Sequence, residues 1–386
     1  MKTQVITFNP WLYNELGHSL IYTKAIEKAA KLNDWDFFAM LPMKCTLDSL
    51  PQNWEKNIGC PTVRHWFEEI EGRAYRRPRK IVRARERFYY YYSAAKGLRK
   101  YLITKRVERT ILFLEAFAQT DVQLLANLLR FLPKKNLSIW LIHRYQASTL
   151  KSDISRYELY HKQLLRMGID LKLLTDSELL KEDLEPHFKL PMTVLPIHYV
   201  EKSSIEEKKK NERIISWWPG VIREGKGLKI IENFAASSAP SNALIDLVVN
   251  KNCILDLHAK SPKVIFLENH LSALEYHEWM DKSDVILLPY CDPHYEKATS
   301  SIFIEAIVSG KVPFVYPKTW MAYELKKYDL NELILDWNPS TLSQQILAIV
   351  ENKKVLDKLK SLKAHYEEFH ILKRYAEILK ELTEPS

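Results

Sequence analysis

A chain of 386 residues exceeds what a single hydrophobic core ordinarily serves and predicts two domains. With 46% hydrophobic and 27% charged residues the composition is that of a folded globular protein and excludes global disorder. The formal charge of +9 favours anionic partners, and fourteen Lys and Arg fall between Arg73 and Arg109 against two acids, Glu86 and Glu108.

The opening MKTQVITFNPWLYNELGH lacks the apolar core and small-residue cleavage site of a secretory signal, and no later run is long and apolar enough to span a bilayer. Cys45, Cys60, Cys253 and Cys291 show no metal-ligand spacing and no disulfide framework. A cytoplasmic protein, without a metal or other cofactor, is the expectation.

QVITFN reads as a buried strand ending at Asn9-Pro10, with an amphipathic helix from about His18 to Lys31 behind it. Asp34-Trp35-Asp36 has the outline of a metal-binding DxD but sits where a helix ends, and is read as a loop. DFFAML, RTILFLEA, SIWLIHR, LKLLTD and MTVLPI continue as strands, separated by helical segments such as DVQLLANLLRFL and SRYELYHKQLLRM. The polar stretch over 198–213 reads as a linker. Strand and helix then alternate again through IISWW, ALIDLVV, KVIFLE, DVILLPY, VPFVYP and ELILDW, and closing helices fill Ser343 to Leu382. Alternation of this kind implies an α/β protein with two doubly wound parallel sheets.

In ISWWPGVIREGKGL a strand ends at Pro219-Gly220, a turn delivers Arg223 and Lys226, and Gly227 opens a helix. Cations at a strand's carboxyl end face the ligand crevice of an open sheet, where the Arg fork and the Lys point charge suit a diphosphate. A charged surface turn explains the motif taken alone equally well. In DVILLPYCDPHYEKATSSIFIEA, Thr299, Ser300 and Ser301 start a helix, the place where amides and dipole favour a phosphate, and Glu305 lies one turn in, able to accept from ribose hydroxyls. Plain helix capping is the rival explanation of that segment.

PGVIREGKGL, SDVILLPY and SSIFIEAIVSGKVPFV together resemble the GT-B glycosyltransferases, specifically the retaining branch called family 4, with weaker echoes in NELGH and TVLPI. The resemblance implies two Rossmann-like domains facing across a cleft: 1–200 binding the acceptor, 201–370 binding a nucleotide sugar, and 371–386 a helix returning toward the first domain. It implies that Arg223 and Lys226 stabilise the departing nucleoside diphosphate, that Glu305 binds the ribose, and that Thr299 to Ser301 cradle phosphate beside Gly220 and Tyr290. His143, at the end of SIWLIH, matches a histidine that contacts the donor sugar, with Arg144 the alternative; Gly17, His18 and Arg144 fall on the acceptor side. The family's first carboxylate, eight positions before Glu305, is here Lys297, which leaves the donor sugar and the retention of configuration open.

The implied activity is transfer of a glycosyl group from a nucleotide sugar to a hydroxyl of a glycan or lipid-linked acceptor. The mixture of cations with the aromatic run Phe88 to Tyr92 in the basic segment 73–109 suits an anionic membrane surface, placing the protein at the inner face of a membrane. A nucleic-acid-binding protein using that segment, or a GT-B scaffold without catalysis, are the rival readings.

Overall fold

The computed structural model describes residues 2–15, 18–59, 78–104, 107–197, 213–220 and 222–384, with backbone alone for 78–83 and 104. The expected linker over 198–213, Gly17, Cys60 and the first part of the basic segment lie wholly or mostly outside these. Contacts divide the chain into two compact units, one of Met1–Leu195 with Leu372–Ser386 and one of Pro196–Ile371.

Unit 1 contains β1 (Thr3–Phe8), α1 (Ser19–Leu32), β2 (Asp36–Pro42), β3 (Trp54–Ile58), α2 (Pro78–Thr104), β4 (Arg109–Leu114), α3 (Gln119–Leu128), β5 (Leu137–Ile142), the short α4 (Ala147–Leu150), α5 (Asp153–Arg166), β6 (Asp170–Thr175), α6 (Glu178–Phe188) and β7 (Met192–Val194). All seven strands are parallel, in the order β3-β2-β1-β4-β5-β6-β7. Every residue of β1 and of β5 is buried. Strands buried from end to end arise where helices cover both faces of a sheet. Ile6, Leu112, Ile139, Leu125, Leu98 and Phe188 belong to the resulting core.

In unit 2 the elements are β8 (Ile214–Trp217), α7 (Leu228–Ala235), β9 (Ile245–Asn250), β10 (Lys263–Leu267), α8 (Ala273–Lys282), β11 (Val285–Leu288), α9 (Ser301–Val308), β12 (Val312–Val315), α10 (Trp320–Lys327), α11 (Leu342–Val350) and α12 (Lys353–Phe369). Its five strands are also parallel, ordered β10-β9-β8-β11-β12. The last helix, α13 (Leu372–Glu381), belongs to unit 1, where Asn33 donates to the Ala376 carbonyl at 2.8 Å and Arg109 donates to the Thr383 carbonyl.

One strand expectation is corrected, and one strand had not been read from the sequence. ELILDW is no strand: Asn331–Leu333 is a single 3-10 turn, and pairing with β12 is reduced to one bridge between Val315 and Ile334. Trp337, at φ 59, turns the chain away, and its indole donates to the Val315 carbonyl at 3.2 Å. Conversely, the polar WEKNI forms β3 on the sheet edge, where only Trp54 and Ile58 are buried. Of the DxD-like pair, Asp34 occupies a turn at φ 56 and Asp36 begins β2, at the sheet's amino end.

Candidate functional site

In unit 2 the chain runs from β8 outward through β9 and β10, then returns to set β11 on the other side of β8. At such a reversal the loops leaving two adjacent strands diverge and open a crevice at their carboxyl ends. The loops concerned are Trp218–Gly227 and Pro289–Ser300, which carry most of the donor-site residues expected from sequence.

These loops are fastened to each other. The Gly225 carbonyl accepts from the backbone N–H groups of Cys291 at 3.0 Å and Asp292 at 3.2 Å, and the Trp218 indole donates to the Lys226 carbonyl at 3.1 Å. A Cβ on Gly225 would come within 2.7 Å of the Asp292 side chain. One on Gly227, at φ 86, would lie 2.3 Å from the Pro289 carbonyl oxygen. Both positions therefore require glycine, and the turn between them holds Lys226 in a fixed place.

Arg223 is exposed and Lys226 half-buried, and neither pairs with a carboxylate among the described residues. The Lys226 ammonium lies 5.1 Å from the centre of the Tyr290 ring. Burial, with the nearby Arg223 charge adding to it, pushes Lys226 down to about 8. Gly220, at φ 96, leaves room beside that ammonium, since a Cβ there would lie 3.2 Å from Nζ. Tyr290 is buried and packs at 4.6 Å on Tyr295. Burial raises its phenol.

Ser300 is the N-cap of α9, its Oγ accepting the Phe303 N–H at 3.3 Å. Thr299 precedes the cap and Ser301 opens the helix, whose first turn presents the amino end of the helix dipole. Glu305 follows on the same helix, 9% exposed, and accepts a hydrogen bond from the Tyr276 hydroxyl. Tyr276 in turn packs 5.2 Å from Trp217. Lys297 ends the 3-10 turn Pro293–Glu296. The fold thus gathers Gly220, Arg223, Lys226, Tyr290, Thr299, Ser300, Ser301 and Glu305 on two loops and one helix of unit 2.

The unit 1 candidates separate. His18 is the N-cap of α1, and its ring lies 5.9 Å from that of Tyr22, one turn on. The Arg144 guanidinium stacks on the other partner of that pair, 4.2 Å from the Tyr22 ring centre. Arg144 also bonds to Asp176 at 3.0 Å and to Glu115. These three residues follow β5, β6 and β4, so the cluster lies at the carboxyl end of the sheet. Burial raises the Glu115 carboxyl although Arg144 pulls the other way. His143 has different surroundings: it is 4% exposed and enclosed by Phe117, Tyr157, His161 and Phe188, with ring centres 4.7 to 5.4 Å away. Burial, reinforced by His161, holds its imidazole well below the usual range. Those are the surroundings of a packing residue. Gly17 lies outside the described residues.

Sequence reasoning missed Tyr276, Tyr22, Glu115, Asp176 and the steric demand at Gly225. Asp176 and Glu115 each stand just past an apolar strand run, the one signal that marked them. Among the described residues no three His, Cys, Asp or Glu side chains gather as a metal-holding group, and no helix is long and apolar enough to cross a membrane.

No family model and no curated protein matches the chain in sequence. Solved structures match it along its whole length. A sucrose-phosphate synthase from Thermosynechococcus elongatus superposes with a TM-score of 0.63 at 11% identity, over 99% of this chain and 98% of that one. A glycosyltransferase from Rickettsia africae gives 0.63 at 12% identity over 100% and 99%. An E. coli trehalose-6-phosphate structure bound with UDP-2-fluoro glucose gives 0.63 at 11% identity over 100% of both chains. Likeness at such identities is likeness of architecture, and the two parallel-sheet α/β units constitute a GT-B fold.

Proposed function

We propose that this protein transfers a glycosyl group from a nucleotide sugar to a hydroxyl acceptor, with the donor bound at the β8/β11 crevice of unit 2. The observation that carries the reading is the pair Arg223 and Lys226, cations without an acidic partner among the described residues, fixed at a sheet reversal by a turn that tolerates only glycine at two positions. Placing an uncompensated, partly buried ammonium there costs stability unless an anion arrives.

In this reading the diphosphate sits between those cations and the amino end of α9, with Gly220 allowing close approach and Glu305, oriented by Tyr276, holding the ribose. Cleavage of the sugar to phosphate bond places negative charge on the leaving diphosphate. Preorganised cations and amides stabilise that charge as it develops, so the neutralising role falls to Arg223 and Lys226 rather than to a divalent ion. With retention of configuration the departing phosphate oxygen takes the acceptor proton, and no protein nucleophile is needed. The acceptor side is assigned to the His18, Tyr22 and Arg144 cluster of unit 1. The solved relatives support the donor class, since one is bound with UDP-2-fluoro glucose.

The test is thermal stabilisation of the purified protein by a panel of nucleoside diphosphates and nucleotide sugars, beside Arg223→Ala and Lys226→Ala. A ligand at a hundred times its dissociation constant adds about 2.7 kcal/mol. One nucleotide should stabilise the native protein and neither variant. Equal stabilisation of all three proteins would remove the site from this crevice, and binding without transfer or donor hydrolysis would make the protein a scaffold.

A further inference from the structure

Helix α2 has two unlike faces. Tyr90, Ala94, Leu98 and Tyr101 are buried in the unit 1 core. At about 100° per residue, Arg85, Phe88, Tyr89, Tyr92, Lys96, Arg99 and Ile103 fall within one stripe roughly 100° wide on another side of the helix. All seven are exposed, Phe88 by 72% and Tyr92 by 58%. The stripe holds no acid; Glu86, the one carboxylate of the helix, lies off it and is half-buried.

Two details set this stripe apart from an ordinary solvated face. Phe88 and Tyr92, four residues apart, stack with ring centres 6.4 Å apart and planes 13° from parallel, so they present a joint apolar surface outward. Met43, itself 44% exposed, accepts the Tyr89 hydroxyl at 2.9 Å and extends that surface from a neighbouring loop. The cations on the stripe are also uncommitted. Arg85, Lys96 and Arg99 pair with no carboxylate among the described residues, whereas Lys100, off the stripe, is paired with Glu55. Six further cations lie between Arg73 and Arg83, immediately before it in sequence.

We propose that this face of α2 docks on an anionic lipid bilayer, the helix lying flat in the interface with Phe88 and Tyr92 at the headgroup boundary and Arg85, Lys96 and Arg99 on the acidic headgroups. Charge complementarity and shape both favour that occupant. The stripe is straight and about 27 Å long at 1.5 Å per residue, its rings lie between its cations, and rings seated at the boundary with cations on headgroups are what an interfacial helix requires. Attachment in this way is independent of the donor reading above.

Co-sedimentation of the full chain with vesicles of phosphatidylcholine alone, and of phosphatidylcholine mixed with phosphatidylglycerol, tests the proposal. Binding should be at least about tenfold tighter to the mixed vesicles and should weaken with added salt. The double variants Phe88→Ala/Tyr92→Ala and Arg85→Glu/Arg99→Glu should each lose most of it. Because these side chains are exposed, melting temperature and nucleotide response should stay as in the native protein, and Phe88→Trp should retain binding. Equal binding to both vesicle types, no binding to either, or variants that bind like the native protein would overturn the proposal. So would single-stranded RNA displacing the protein from mixed vesicles and requiring the same rings. A missing nucleotide response with vesicle binding intact would fault the donor reading alone.

Discussion

Lys226 keeps its proton less readily than an ordinary lysine, its value falling from 10.5 to about 8 through burial and the adjacent Arg223. An unfolded chain therefore binds that proton more tightly across this window, so the unliganded protein should gain stability as pH rises from about 8 toward 10.5. A bound diphosphate favours the charged form and reverses the preference. The melting-temperature increment given by saturating nucleotide should accordingly shrink between about pH 7 and pH 9, and Lys226→Met should flatten that dependence. A pH-independent increment in the native protein would mean the ammonium does not meet the ligand. The neighbouring glycine makes a second, purely steric demand. Gly227→Ala combines a positive φ with a Cβ placed 2.3 Å from the Pro289 carbonyl oxygen. It should cost on the order of 3 kcal/mol in urea unfolding.

Three strand ends of unit 1 are tied by a single side chain. Arg144, following β5, reaches Glu115 after β4 and Asp176 after β6. Replacing it by Met strands two buried carboxylates and should cost about 3–5 kcal/mol, read by denaturant titration. A loss under about 1 kcal/mol would show that the carboxylates neutralise by taking up protons or gain water instead. That these three meet could not be read from the sequence, because they follow three different strands far apart in the chain. What was legible is what local chemistry dictates. β5 and β11 are buried throughout and announce themselves as largely apolar runs. Ser300 stood out as a cap, and Gly227 as the end of a turn, because those roles need particular residues. β3 stayed hidden because an edge strand with Glu55, Lys56 and Asn57 in its middle has no apolar run to read. ELILDW was over-read for the opposite reason: Leu333 serves the core from a 3-10 turn and Leu335 from the irregular segment after it. The residues proposed for the donor side fall in two sequence motifs, while Tyr276, which donates to Glu305, lies on an amphipathic helix with nothing to mark it.

Across the molecule, acid should act through imidazoles kept neutral by burial. His161 in unit 1 and His370 in unit 2 are both pushed down to about 3, chiefly by burial, and His143 is lowered with them. Their folded values lie below the ordinary 6.5, so the unfolded chain takes up protons first as pH falls. The part of the stability that depends on these imidazoles should be full above about pH 6.5 and drop progressively toward pH 3. A melting-temperature series over that range should show the decline, and His161→Leu should make it shallower; an unchanged slope would assign the acid sensitivity elsewhere. The path of the chain has another consequence. Unit 1 is closed by α13, whose Tyr375, Ala376, Ile378 and Leu379 are buried, yet all of unit 2 intervenes between β7 and that helix. On a ribosome the earlier sheet must therefore wait, with the surface that α13 covers still wet, while the later unit is translated and free to fold. Unit 1 is thus completed no earlier than unit 2 although its sheet is made first, and until α13 arrives the flank of α1 that it covers stays exposed.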